Sequence, residues 1–574
     1  MGEGIAGHVS RAYCDVRASF PQLRCKSFPL SSSAGEGGQG VRSRSVDRPV
    51  TLIPVKRYDI VILGGAFSGA AAAILLRRDR PDLSVLVIER AAAFDAKVGE
   101  ATTEMAGMFL TRRLAMWQHL EREHLPKEGL RYWFHNEKVS CHAEASESGA
   151  FQRSTVPSFQ LRRDILDEHL LATAVAEGAE LVRPARVREV ELGTFDHRVT
   201  FERDGETETV GCRWVLDATG RATFLGKRLG LIERNREHPT AAIWCRWEGV
   251  RHLDDVAARG PLSFARGNVS SRRLATNHYM GFGYWVWFIP LGNGETSIGI
   301  VFDTRLVHLD RGENLERDYL AFLRAIPAAA ELLEGASLKR EDLRTFSNLA
   351  YVTRQYMGDG WALLGDAAAF LDPYYSPGLD HASFSVEATV EIVKAQTAGE
   401  DVASRIAEHN ATFVRSYHRF FRAIFQDKYF YMGEHDLLSA SFLIDTAQYY
   451  IFVVIPAYRL FGRFHWMPVL GPKPAFLSYH MMRIYNRRFA VIALARRAAG
   501  EAGRRNDGRR VKALYDLRLA PFHMAARGVK LWLWAELDYV RLLAKRLLAG
   551  KRAKIAKAEA PVLNAERSGR SPVP

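Results

Sequence analysis

The stretch Tyr58-Asp59-Ile60-Val61-Ile62-Leu63-Gly64-Gly65-Ala66-Phe67-Ser68-Gly69 decides how this 574-residue chain is read. An apolar, β-branched run stops at a glycine loop, and an Ala-rich helix follows over residues 70–77. Apolar residues without alternation suit a strand buried on both faces, as in a parallel sheet. A second apolar strand, Leu83 to Ile88, ends in Glu89, twenty residues beyond Gly69. Together these segments predict a βαβ unit that binds a dinucleotide. Glycines let the backbone approach a pyrophosphate, the helix start offers unpaired N–H groups to it, and the acid accepts hydrogen bonds from ribose hydroxyls. Ala66 occupies the middle glycine position and adds a methyl group to that approach.

Three later segments fit the same site. Arg163, Leu166 and Asp167 give an RxxLD helix start, residues 214–220 form a strand ending in Asp217-Ala218-Thr219-Gly220, and residues 361–368 form a strand ending in Gly365-Asp366. In this order the blocks resemble those of the single-domain FAD oxidoreductases related to aromatic hydroxylases. The resemblance implies FAD, with Gly64, Gly65, Ala66, Gly69, Glu89, Arg163, Asp217, Gly220, Gly365 and Asp366 around it.

Two further motifs narrow the family. Trp285-Val286-Trp287-Phe288-Ile289-Pro290 ends a strand-like run from Tyr279 to Ile289, and residues 370–378 read FLDPYYSPG. Taken alone, tryptophans two apart only suggest a filled sheet face. Beside the flavin blocks, they resemble the WxWxIP and FxxPxxSxG signatures of flavin-dependent halogenases. Residues 97–102, KVGEAT, and 127–134, KEGLRYWF, resemble two more family segments.

That family's chemistry implies reduced FAD, oxygen, a flavin hydroperoxide and hypohalous acid relayed by a lysine to an electron-rich arene. Lys127 is the expected relay, with Lys97 behind it. Trp285 and Trp287 are expected to wall the flavin off from substrate, and Pro373, Ser376, Pro377 and Gly378 to lie beside the flavin and the halide. A single dinucleotide fingerprint implies a separate flavin reductase as partner.

Two departures bear on substrate and halide. The glutamate that precedes the motif serine in tryptophan-directed members is Tyr375 here, which points to a phenol- or pyrrole-like substrate, free or carrier-tethered. The halide is expected on the N–H groups of the two residues after Ser376, and one of these is proline, which has none. Ser376, Tyr374, Tyr375 and His381 are the candidates for rebuilding the site. A halogenase-like monooxygenase or oxidoreductase without halide binding is the alternative.

The expected architecture is α/β. A Rossmann-type FAD-binding domain of the aromatic-hydroxylase kind covers 57–400, with an inserted β-rich substrate domain near 230–350. Residues 401–574 form a helical, basic C-terminal region, and 1–56, rich in Arg, Ser and Gly, read as a disordered arm. The composition is that of a globular protein, 47% hydrophobic and 25% charged.

Of the net charge of +14, residues 504–557 carry an excess of eleven, from fifteen basic against four acidic side chains. This region also carries Trp532, Trp534 and many leucines, so contact with an anionic membrane, docking of an acidic carrier protein and a plain solvated face are all open. Nothing resembles a nucleic-acid reader. The five scattered cysteines suit free thiols and a cytoplasmic setting, with the inner membrane face as the alternative. No apolar run reaches the roughly 18–20 residues that span a bilayer.

Overall fold

The computed structural model describes residues 55–261, 270–459, 468–514 and 520–567, apart from the side chains of 459 and 549–567. The expected arm lies almost wholly outside the described residues, as do Cys14, Cys25 and the side chains of Lys551, Arg552, Lys554 and Lys557.

The βαβ unit forms as read, from β1 (Arg57–Leu63), α1 (Phe67–Asp79) and β2 (Val85–Ile88). The chain continues through α2 (Glu104–Met108), β3 (Leu130–Phe134), β4 (Ser146–Ala150) and α3 (Arg163–Ala176). It then adds β5 (Glu180–Val182) and the long strand β6 (Glu206–Asp217). β7 (Thr240–Glu248), β8 (Thr276–Gly281), β9 (Tyr284–Pro290) and β10 (Thr296–Asp303) follow, then β11 (Trp361–Leu363) and α4 (Gly378–Thr397).

Strands β11, β6, β1, β2 and β5 lie side by side in parallel within an eight-stranded sheet. Register sets the site. Leu63 stands opposite both Asp217 and Ile88, and Asp217 opposite Leu363. The glycine loop, Glu89, the DATG turn and Gly365-Asp366 therefore all emerge at one carboxyl edge, where open α/β sheets bind ligands.

The second sheet differs from expectation in two ways. Residues 279–289 are not one strand: β8 and β9 form an antiparallel hairpin that turns between Gly281 and Tyr284. Nor is the sheet confined to 230–350. Its nine strands include β3 and β4 from before α3, and β12 (Arg510–Ala513), which pairs in parallel with β4.

The helical region is α5 (Ala403–Phe420), α6 (His435–Tyr449), α7 (Phe476–Ala498) and α8 (Ala520–Arg567). Its aromatic residues join the same core as β1 and α1, so it is not a separate appendage. Among the described residues one helix, His435–Tyr458, is apolar and long enough to cross a membrane, a continuity the sequence reading missed at Pro456. Two thirds of its most apolar window is buried inside the protein, as expected of a core helix.

Candidate active site

At the carboxyl edge of the parallel sheet, Gly64 has φ +97°, and a Cβ there would lie 2.7 Å from the Ala218 carbonyl oxygen. A Cβ on Gly69 would lie 1.9 Å from the Gly64 carbonyl oxygen, so both positions require glycine. Ala66 caps α1 in extended conformation, and its methyl is accommodated there. Glu89 accepts from the Gly65 N–H and the Ala91 N–H, both at 2.7 Å, leaving each oxygen a second lone pair for a ribose hydroxyl.

Asp217 corrects the sequence reading. Its buried carboxylate accepts from the Thr219 N–H and hydroxyl and from the Leu225 N–H. It therefore shapes the turn that carries Gly220, and does not reach for a ligand. Arg163 opens α3, pairs with Asp167 at 3.1 Å and holds a buried Nε without a hydrogen-bond partner. Lys97 pairs with the same Asp167 at 2.5 Å, and burial and the neighbouring Arg163 lower its pKa.

Gly365, at φ +55°, donates to Ser385 Oγ at 2.9 Å and places Asp366 on the edge. Burial raises the Asp366 pKa against the pull of Arg221, Arg163 and Lys97. Cations near an unpaired buried donor, helix N–H groups and hydroxyl-accepting carboxylates are the donor set that a dinucleotide with a pyrophosphate and ribityl chain requires, so the residues present fit FAD.

A cavity of about 620 Å³ opens beside Asp366. Lys127 lies in its wall and is 5% exposed. The backbone around this lysine is clamped: its N–H donates to the Ser158 carbonyl, and the Ser158 hydroxyl donates back to the Lys127 carbonyl. The ammonium donates to the Thr102 carbonyl at 2.7 Å. Burial lowers its pKa to about 8, although Glu104 and Asp380 favour the charged form.

Both acids also line the cavity. Asp380, in the first turn of α4, accepts from the Thr103 hydroxyl, the Ala106 N–H and the Tyr449 hydroxyl, and burial raises its pKa to about 6. Glu104 accepts from the Tyr450 hydroxyl at 2.8 Å. Position 375 carries no carboxylate, but these two stand in the cavity wall close enough to act on the Lys127 charge. The Tyr375 hydroxyl itself donates to Asp445 at 3.0 Å.

The tryptophans hold a different place from the one expected. Neither indole lines the cavity. Trp285 donates to the Tyr429 hydroxyl at 3.0 Å, and Tyr429 donates to Asp372 at 2.8 Å. Asp372 also meets His238 at 2.7 Å and accepts from the Tyr374 N–H. The two sequence signatures are therefore bolted together through Tyr429, a residue of the helical region that no motif announced. Trp287 donates to Ser297 at 3.1 Å and lies where a Cβ on Gly299 would collide with it.

Tyr375 and Ser376 both adopt positive φ, +72° and +56°. The Ser376 N–H is bound to the Pro373 carbonyl at 2.8 Å, so it is not free for an anion. Pro377 caps α4 and has no N–H, and Gly378 is the first helical residue. Of the four rebuilding candidates, His381 has a buried Nε2 with no partner, in a ring that lines the cavity. Burial lowers its pKa to about 4, so the ring is neutral. Lys97, by contrast, is not among the residues that line the cavity and is held by Asp167.

A family profile described as FAD binding domain matches residues 57–383. The chain is similar to flavin-dependent halogenase chlA of Dictyostelium discoideum, 26% identical over 73% of each chain. It is also similar to flavin-dependent halogenase armH4 of Armillaria mellea, 27% identical over 57% of this chain and 63% of that one, a little under two thirds of that protein's length. Among solved structures it is similar in fold to halogenase PltM in complex with phloroglucinol and FAD, with TM-score 0.64 and 20% identity. That match covers 84% of this chain and 98% of PltM, which takes it into the helical region.

Proposed function

The chain belongs to the FAD-binding-domain family and is an FAD-dependent enzyme related to flavin-dependent halogenases, and from that premise we propose that it halogenates an electron-rich phenol- or pyrrole-like arene. The observation that carries this reading is the Lys127 amine, buried in the wall of the same cavity that receives Asp366 and the start of α4. When bound, reduced FAD supplies the oxygen activation that makes halide electrophilic, and a separate reductase supplies the reduced flavin. Gly64, Gly65, Gly69, Glu89, Arg163 and Asp366 would hold the cofactor.

The remaining steps fall to the chain's own side chains. Halide is held at the start of α4 by the Gly378 N–H and by the neutral His381 ring in the tautomer protonated at Nε2, replacing the N–H that Pro377 lacks. Lys127, with a pKa near 8, exposes an amine lone pair at mildly alkaline pH and holds the oxidised halogen by a hydrogen bond or as a haloamine. The arene attacks that halogen, the halogen's bond to the amine nitrogen or hydroxyl oxygen breaks and leaves its electron pair on that atom, and the ring proton passes to the Asp380 carboxylate. Apolar walls from Phe442 and Phe420 suit a ring substrate. The phloroglucinol in the PltM complex supports the phenol class, and one carrier-tethered pyrrole brominase among the relatives supports the tethered alternative.

The test is product formation from a generic phenol with reduced FAD, with and without chloride or bromide, in the natural protein and in His381→Phe. The expected result is halide-dependent product, with the half-saturating halide raised about tenfold or more in the variant. Oxygenated product formed equally without halide overturns the reading in favour of a monooxygenase, which the missing Pro377 N–H would then explain.

A further inference from the structure

Two helices carry apolar side chains on the wrong side. On α8 the outward residues Phe522, Ala526, Val529, Leu533, Leu537, Val540, Ala544 and Leu547 recur every three or four positions, a continuous stripe opposite the buried stripe of Met524, Ala535 and Leu542. Leu533 is 60% exposed and Leu537 65%.

The same pattern appears on α7, where Leu477, Met481, Ile484 and Val491 face outward, Leu477 at 78%. The helices run side by side in the same direction. Arg488, in step with the α7 stripe, pairs with Glu536, adjacent to Leu537, and lies over the Tyr539 ring, while Arg546 donates to the Ala495 carbonyl farther along. The two stripes therefore flank one ion pair and form a single apolar face. Among the described side chains of a globular protein, an apolar patch this long marks a contact surface.

Charge decides what it contacts. α7 contains no Asp or Glu. The two acids of α8 up to residue 548, Glu536 and Asp538, are both in ion pairs. Lys473, Arg487, Lys530 and Arg546 are exposed around the face, and Arg541 and Lys545, also exposed, outnumber the one carboxylate they share, Glu501. A second copy of the chain would bring one basic rim against another, whereas anionic lipid headgroups neutralise the rim while the acyl region receives the leucines and Trp534.

A second, independent feature agrees. The active-site cavity reaches the surface at Leu477, Met481 and Phe452, all exposed, and the first two belong to the α7 stripe. A protein partner seated there would plug the mouth, while a bilayer would feed it.

We infer that the α7–α8 face rests on an anionic lipid surface with the cavity mouth turned toward the acyl chains. A membrane-dissolved arene then enters without crossing water. The lipid contact stands on the face alone, and the entry of the arene rests on the halogenase reading.

The experiment is flotation of the full-length protein with phosphatidylcholine vesicles, with and without phosphatidylglycerol, in the absence of halide and reductant. Binding is thus scored apart from the chemistry. Leu533→Glu/Leu537→Glu is compared with the natural protein, and FAD binding reports that the exposed substitutions leave the fold intact. The expected result is binding to anionic vesicles, weakened by salt and at least about tenfold weaker in the double variant.

Absence of vesicle binding overturns the inference. So does binding equal in both proteins, which would place the contact elsewhere. A dimer that the double variant dissociates, without lipid binding, assigns the face to a second copy and overturns it as well.

Discussion

Among the described residues, two lysine amines are buried near the cavity wall, in two different regions, and the molecule treats them oppositely. Lys428, in the helical region, donates to Asp445, to the Ser441 hydroxyl and toward Tyr375, and Asp445 also receives the Tyr485 hydroxyl. Lys127, in the FAD-binding half, donates to one backbone carbonyl and faces acids already held by tyrosines and a threonine. Burial lowers the pKa of both. What separates them is partnership. A buried ammonium with a full set of acceptors is structural, and one with a single neutral acceptor beside open space is available for chemistry.

The contrast is broken most directly by exchanging the outcomes of two substitutions. Lys127→Ala is expected to lower halogenated product by at least about 10²-fold, the scale of a lost proton-transfer or covalent group, while FAD binding stays intact. Lys428→Met is expected to leave the Asp445 carboxylate without its countercharge in the interior and to lower stability by about 3–5 kcal/mol in a denaturant titration. If Lys428→Met were the one that abolished product in a stably folded protein, the assignment of roles would be reversed.

Titration sharpens the same comparison. With the Lys127 pKa near 8 in the fold and at its ordinary 10.5 when unfolded, the unfolded chain holds the extra proton between those values. Stability contributed at this site therefore rises as pH increases from 8 to 10.5, by the sign of the proton difference. The natural protein should gain on Lys127→Met over that window in pH-dependent melts. Product formation should likewise rise through about pH 8 as the amine loses its proton. Glu104 and Asp380 favour the charged form, so Asp380→Asn should move that rise to lower pH, at a lower maximal rate because the acceptor of the ring proton is gone. A rise that stays in place would remove Asp380 from the environment of Lys127.

The smallest effect concerns the halide. Pro377→Ala restores an N–H at the start of α4, and halide affinity should improve roughly tenfold if the anion sits there. An unchanged half-saturating halide would place the anion off the helix start.

The parallel sheet and its cofactor edge were legible in the sequence because each feature is local. A strand, a glycine loop and an acid at fixed spacing all lie between Arg57 and Glu89, and register then brings the distant DATG and Gly-Asp blocks to the same edge. Motif position singled out Lys127, and the structure puts its amine in the cavity wall. Its acids were not, because Glu104, Asp380 and the tyrosines that hold them, Tyr449 and Tyr450, meet only through packing of the helical region. One signal was available: Asp380 stands four residues after Ser376, in the first turn of the helix that the motif opens. Asp217 misled because an acid at a strand end can serve a ligand or its own turn, and the sequence does not show which N–H groups converge on it. Trp285 and Trp287 misled in the same way, since their partners, Tyr429 and Ser297, are set by tertiary contact.

The strand Arg510–Ala513 beside Glu147–Ala150 has a consequence for how the chain is made. The two partners are separated by several hundred residues, which a ribosome working at about 5–20 residues per second delivers over tens of seconds. Throughout that interval the 146–150 strand has a bare hydrogen-bonding edge, open to the same strand of a neighbouring nascent chain. Synthesis that stalls or stops before residue 510 should thus yield aggregate and not a smaller working enzyme. A chaperone that shields that edge until residue 513 has been made should raise the yield of folded protein.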